Sequence, residues 1–295
     1  MTQFLQLLFE GTSLGATYAL VALGFVVIYR ASGVINFAQG AMLLLGAYLV
    51  SWLAVDLGLP FALAVLGAMV ALGAFGAGFH RVALRHVVGQ PTFVLVMITI
   101  GAGIAVSAAI DAIFGANPRL LGDPWGSSSF HLGAITITWV KLSGIVVAAV
   151  ALALYAWFDR TTRWGLAMRA TAADEEATLS VGVPVRRVHA LTWALAGGLA
   201  TLGGLFLAGF PSAPSPGLGD AALRAFPAVV LGGLSSSVGA VAGGLLIGVV
   251  EVMTSGYAPS WLGTNFYEVA PYIAMIAILL VRPYGLLGTR PAERL

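Results

Sequence analysis

Eight stretches of this chain, at roughly 5–29, 37–55, 60–80, 92–114, 136–158, 188–210, 226–254 and 266–281, are almost wholly apolar. Most reach the roughly 20 residues that a helix needs to cross the hydrocarbon core of a bilayer. No water-soluble core accommodates so many runs of this length. Composition agrees: only 9% of the 295 residues are charged, against about a quarter in soluble domains. A transmembrane β-barrel would show segments of about ten residues with alternating polarity, and the runs here do not alternate. The chain is therefore expected to be an all-α polytopic membrane protein, a single transmembrane domain over 1–295 with no separate soluble module. No lysine or arginine precedes Arg30, so the first run lacks the charged start of a cleavable signal and is expected to remain as a helix.

The side chains between the runs set the orientation. Arg30, Arg81, Arg85, Arg160, Arg163, Arg169, Arg186 and Arg187 fall in alternate connections, leaving Arg119, Lys141 and Arg224 for the other side. The positive-inside rule then places the 159–187 loop in the cytoplasm and the N-terminus outside. Run 226–254 conflicts with this if it crosses once, because Arg282, Arg290 and Arg294 would end outside. Its middle reads GGLSSSVG over 232–239, which interrupts the run with turn-forming residues. The run is read as a re-entrant or broken-helix hairpin with arms 226–233 and 240–254, which returns the tail to the inside. One long, tilted, glycine-rich span is the alternative. Gly11/Gly15, Gly239/Gly243 and Gly244/Gly248 are spaced so that helices can approach closely in lipid.

The longest polar interruption is DRTTRWGLAMRATAADEEATLSVGVPVRR, residues 159–187. It carries the signals of one short helix over about 172–181. Thr171 stands as N-cap with Asp174 in the capping-box position. Asp174, Glu175 and Glu176 crowd the first turn, where the helix dipole favours negative charge. Gly182 sits where a left-handed terminator is wanted, and Pro184 prevents continuation.

Few residues elsewhere offer chemistry. Cysteine is absent, which removes disulfides and thiolate sites. The single lysine, Lys141, follows Val140, so no Gly-Lys-Ser/Thr phosphate loop exists. The histidines His80, His86, His131 and His189 lack metal-ligand spacing, and no nucleophile has a nearby partner, so no metal site and no catalytic set is expected. Two acids, Asp111 and Glu251, lie inside apolar runs, where an ionisable group is by default a functional candidate. The turn Asn36-Phe37-Ala38-Gln39-Gly40 offers neutral amides beside apolar walls, suited to an apolar or zwitterionic solute. Asn36, Phe37, Gln39, Gly232, Gly233 and Glu251 are accordingly the candidates for a translocation path.

Four separated stretches resemble one family over nearly the whole chain: GTSLGATYALVALGFVVIYRASGVINFAQGA, GLAMRATAADEEATLSVGV, AVVLGGLSSSVGAVAGGLLIGVVE and the terminal RPYGLLG. They resemble the branched-chain amino acid ABC-transporter permeases of bacteria, the smaller of the two permease types. The loop is similar to the importer coupling motif, Glu-Ala-Ala, three residues, Gly, here Glu176-Ala177-Thr178 and Gly182. Thr178 departs from the second alanine, and Ala41 stands where the first stretch often has glutamate. The resemblance implies an inner-membrane assembly of two permease subunits, the second a different chain, with two cytoplasmic ATPases and a periplasmic binding protein. ATP and Mg would sit on the partner subunits, with no cofactor on this chain, and no nucleic acid is involved. It assigns Gly165, Arg169, Thr171, Asp174, Glu175, Glu176, Ala177 and Gly182 to coupling with the ATPase. The rival classes are an ion-coupled secondary transporter, which would need ion ligands near the midplane, and an ABC importer of urea, short amides or aromatic acids.

Overall fold

A computed structural model describes residues 2–84, 91–115, 117–133, 135–209, 212–263 and 265–288. Among these, seven helices are long and apolar enough to cross a membrane, and Phe266–Val281 is a shorter apolar helix. The bundle is built around α1, Thr2–Ser32, which is buried on all sides from Ala16 to Ile28. Its small residues let neighbours close on it: a Cβ on Gly15 would fall 2.7 Å from Leu245 Cα. Helix α2 (Gln39–Ser51) widens into a π-helical turn over Trp52–Asp56, and α3 (Phe61–Phe79) does so over His80–Leu84. Helix α4 (Thr92–Phe114) lies at the periphery, with only Thr99 and Ile110 fully buried. Arg85 and His86 of the basic connection lie outside the described residues.

The run expected to be helical from 136 starts later. Residues Ile135–Thr138 pair with Ser129–Leu132 as a two-stranded antiparallel hairpin, and α5 begins at Trp139. The β-branched alternation Ile-Thr-Ile-Thr favours a strand. The Gln6 side chain pins it to α1, donating to the Thr136 carbonyl (3.0 Å) and accepting from the Thr136 N–H (2.9 Å). After α5 (Trp139–Thr161) come α6 (Arg163–Ala173) and α7 (Glu175–Ser180), then α8 (Val185–Leu207).

The 226–254 run is broken as its composition indicates. Helix α10 (Phe226–Gly232) and α11 (Ser237–Tyr257) form a hairpin, preceded by α9 (Leu218–Leu223), which the apolar pattern did not announce. The break does not stop at mid-depth. Ser237 at its edge accepts from Arg30 Nη1 (2.9 Å), at the end of the bundle that carries α6 and α7. The freed carbonyls at the end of α10 find donors in the tail after α12 (Phe266–Val281): Leu286 N–H bonds to Leu231 O (2.7 Å) and Leu287 N–H to Gly232 O (3.3 Å). The break therefore has the internal partners that backbone at the membrane boundary requires. Gln3 near the start of α1 reaches Gly256 O at the opposite end. The start of α1 and residues 257–263 share one face of the bundle, and the 159–187 loop and residues 282–288 share the other; Arg290 and Arg294 lie outside the described residues.

Glycine pairs make the central contact. On α11, Gly244 and Gly248 lie against α1, where a Cβ on Gly248 would fall 2.2 Å from Gly15 N. Gly239 and Gly243 face the other way onto α10, and a Cβ on Gly239 would fall 2.0 Å from Gly232 O. Two small stripes thus let one helix touch backbone on both sides.

Candidate functional site

The loop face is built from α6 and α7, and the polar stretch forms two helices, not one. Thr162 caps α6 by accepting from Gly165 N–H (3.0 Å). Thr171, expected as a cap, lies inside α6 instead, buried, with its hydroxyl bonded back to Ala167 O (2.9 Å). The cap of α7 is Asp174, whose Oδ1 accepts from Ala177 N–H (3.0 Å), so the acids of the first turn are Glu175 and Glu176 alone. Asp174 is the stronger choice because it has an extended backbone and an ionised acceptor at a helix start. Thr178 stands in the position of the motif's alanine, buried, its hydroxyl on Asp174 O (2.6 Å).

The end of α7 follows the sequence reading. Gly182 takes φ +83°. Its N–H bonds to Leu179 O (3.0 Å) while Val183 N–H reaches Thr178 O (3.3 Å), the double bond pattern of a Schellman termination. Gly165 is needed for close approach: a Cβ there would lie 2.3 Å from Asp159 O, so glycine lets α6 fold back against α5.

An ion cluster ties this platform to the bundle. Asp159, nearly buried, stands 3.8 Å from Arg30 and 3.5 Å from Arg169. It joins α5 to α1 and α6, and Arg30 extends the link to α11 through Ser237. Arg169 is thus an internal brace. Glu175 lines a cavity of about 210 Å³ with His80 and His189; His189 Nε2 donates to Ala31 O (2.9 Å), and the two imidazoles meet edge to face at 5.5 Å. The outer surface of α7 carries Glu176 and Ala177 beside Leu179 (52% exposed) and Val181 (78% exposed). Sequence reasoning passed over Leu179 and Val181 because nothing in the pattern distinguishes an exposed aliphatic from one facing the bundle.

The translocation candidates separate in space. Asn36 and Gln39 are fully buried, and their amides face each other: Asn36 Nδ2 donates to Gln39 Oε1 (3.2 Å), and Asn36 Oδ1 accepts from Ala38 N–H (3.0 Å). Gln39 packs against Gly24 of α1, so α2 starts well inside the bundle, and Gln39 Nε2 has no hydrogen-bond partner among the described residues. Phe37 is partly exposed, its N–H on Thr99 Oγ1 (3.2 Å) and its ring 6.3 Å from that of Phe226. Gly232 and Gly233 are turn and packing positions. Gly233 has φ +94°, and a Cβ there would meet Gly288 at 2.6 Å. Asp111 is exposed in the last turn of α4.

Glu251 alone among these candidates lines a large cavity, about 540 Å³, in the half of the bundle away from the loop. Tyr18 Oη donates to Glu251 Oε2 (2.7 Å), and Arg224 Nη1 stands 3.8 Å from Oε1. Arg224 also donates to Glu268 Oε1 (2.9 Å). Across the cavity Lys141 pairs with Glu10 (3.1 Å). Arg224 was not among the sequence candidates, and its interruption of α9 and α10 is the signal that could have marked it.

A many-helix apolar bundle with a polar interior cavity at one end and a capped helix presented at the other is the architecture of a polytopic membrane protein with a solute-sized chamber. A family model described as "Branched-chain amino acid transport system / permease component" matches residues 7–279. The chain is 32% identical to the high-affinity branched-chain amino acid transport system permease protein LivH of Salmonella typhimurium, over 99% of this chain and 97% of that one. It is 30% identical to BraD of Pseudomonas aeruginosa, named likewise, over 99% and 98%. Similarity extends to the ribose import permease protein RbsC of Escherichia coli, 29% identical over 89% and 79%. The chain belongs to the branched-chain amino acid transport permease family, and it is a membrane-spanning permease subunit of an ABC importer.

Proposed function

We propose that this permease moves aliphatic amino acids into the bacterial cytoplasm, with its loop face inside and its N-terminus outside. The names of LivH and BraD supply the substrate class; the arginine distribution supports the orientation. ATP and Mg belong to two separate ATPase subunits, which dock on α7. A second permease subunit completes the pore, and a periplasmic binding protein delivers the solute.

The observation that carries this reading is the construction of α7. It is capped at both ends, buries Thr178 on its inner face and follows α6, which the Asp159 cluster braces, and it offers an acid and two exposed aliphatic side chains outward. A helix held this way can transmit a displacement of the ATPase dimer as a rigid body. Nucleotide drives the change only because it binds one state of the assembly better than the other. Gly165 and Arg169 act behind the contact, holding α6 to α5, while Glu176, Ala177 and Leu179 form it.

The test uses the purified complex in proteoliposomes with loaded binding protein. Leu179→Asp and Glu176→Lys each leave every apolar span untouched. Each is expected to lower stimulated ATP hydrolysis about tenfold, the range for losing a central contact at an interface, with basal hydrolysis of the isolated ATPase unchanged. Full stimulation in both variants would falsify the assignment of α7 as the coupling element.

A further inference from the structure

The cavity in the outer half belongs to a single permease subunit, and its walls carry charge of both signs. Among the described residues its charged lining consists of Glu10, Lys141, Arg224 and Glu251, two anions and two cations. Such a wall has no net preference for an anion or a cation, and is matched by a molecule that carries both. The rest of the lining divides into hydroxyl groups, such as Ser13 and Thr17, and apolar side chains, such as Phe206 and Leu207. Its volume, about 540 Å³, lies within the span of small-molecule sites.

The two ion pairs differ. Glu10 and Lys141 are closed on each other at 3.1 Å, and both are about a third exposed. Glu251 is only 6% exposed in its side chain, yet Arg224 Nη1 stands 3.8 Å away, beyond hydrogen-bond reach. Arg224 engages Glu268 with its other terminal nitrogen. Glu251 engages Tyr18 with its other oxygen. One carboxylate oxygen and one guanidinium nitrogen thus face each other across a gap at the wall of the cavity, each held in place by its second partner. A buried ion pair without a direct hydrogen bond is incompletely compensated, and an ammonium and a carboxylate lying side by side along the cavity wall would complete both groups.

From this geometry we infer that the cavity is a solute-binding site within one permease subunit, for an α-amino acid with an aliphatic side chain. The solute's ammonium donates to Glu251 Oε1, its carboxylate accepts from Arg224 Nη1, and its side chain lies against Phe206 and Leu207. Tyr18 and Glu268 are positioning residues. The inference rests on the transport reading above and adds that the permease itself recognises the zwitterion after the binding protein releases it.

The experiment measures equilibrium binding of radiolabelled leucine to the full transporter complex in nanodiscs without binding protein. Wild type is expected to bind saturably, with valine and isoleucine competing and leucinamide and N-acetyl-leucine failing to compete. Arg224→Gln and Glu251→Gln are expected to weaken binding about tenfold or more, as loss of a charged hydrogen bond does. Ala221→Leu fills the cavity while leaving every ion pair intact, and is expected to do the same. No saturable binding by wild type overturns the proposal, as does binding that survives Ala221→Leu or that is unchanged in both Arg224→Gln and Glu251→Gln. Phosphatidylethanolamine that copurifies with wild type and is lost with Ala221→Leu, in the absence of leucine binding, assigns the cavity to a lipid headgroup and also overturns it. Binding-protein-stimulated ATP hydrolysis by wild type, measured alongside, separates failure of this site from failure of the transport reading.

Discussion

Gly248→Ala is the sharpest test of how the bundle is held. The added Cβ would lie 2.2 Å from Gly15 N, 2.3 Å from Gly15 Cα and 2.8 Å from Gly11 O, all backbone atoms that no rotamer change can move. Reaching the 3.4 Å of ordinary contact requires α1 and α11 to separate by roughly 1.2 Å at this point. The Tyr18–Glu251 hydrogen bond crosses the same interface at 2.7 Å, and a displacement of that size breaks it. Overpacking of this kind costs about 1–3 kcal/mol, and loss of a buried hydrogen bond to a charged group about 1.5–3 kcal/mol more. Since about 1 kcal/mol shifts the midpoint of a domain this large by roughly 2–4 °C, the variant should melt at least about 5 °C lower. Unfolding is followed in detergent by fluorescence-detected size exclusion after heating. Gly101→Ala on peripheral α4, where an added Cβ meets nothing within 4 Å, is the control. It is expected to be neutral or slightly stabilising, since alanine is the better helix former. Equal melting of Gly248→Ala and Gly101→Ala would refute the claim that backbone contact between α1 and α11 organises the fold.

Further outcomes follow from the loop face and from topology. Gly182→Val forces a β-branched residue into a left-handed conformation at a cost of roughly 1–2 kcal/mol; stimulated ATP hydrolysis, read by phosphate release, should fall several-fold while the complex still assembles. Asp159→Asn strands Arg30 and Arg169 beside one another and should lower the melting temperature by several degrees, and the Arg169→Gln/Asp159→Asn double variant should recover part of that loss because the paired changes are not additive. Because the native chain has no cysteine, Trp261→Cys and Leu287→Cys are clean probes: an impermeant thiol reagent should label the first from outside and the second only from inside, and the reverse pattern would remove the proposed orientation. Asn36→Ala leaves Ala38 N–H and Gln39 Oε1 without their buried partner and should destabilise by about 1–3 kcal/mol, visible as a lower melting temperature.

Much of this was legible in the chain itself wherever the signal is local. Hydropathy windows located the crossing helices, because a spanning helix must satisfy its own backbone and present apolar side chains over a fixed length. The end of α7 was legible for the same reason: Gly182 and Pro184 act on the backbone at their own positions. So was the break in 226–254, since GGLSSSVG disfavours a continuous helix whatever surrounds it. The start of α7 was not, because Thr171 and Asp174 are both competent caps. The choice fell to Asp174 once Thr171 was buried inside α6, which folds back against α5 at Gly165.

The interior is where the sequence runs out. Lipid tails are as apolar as leucine, so a run facing lipid and a run facing protein have the same composition. Nothing local says that α1 is buried on every side while α4 lies at the edge. Nor does Glu251 announce Tyr18, 233 residues away, or Arg224, which in the sequence is only one more outer-side charge. The Tyr18 pairing exists because glycines on α1 and α11 let two backbones touch, and Arg224 joins it because α9 ends against the same cavity. The spans, the end of α7 and relative sidedness were thus set by local chemistry, whereas the starts of α5 and α7 and the presence of α9 were not. Which faces meet, and therefore which charges share a cavity, was decided by tertiary packing alone, since hydropathy cannot tell one apolar neighbour from another.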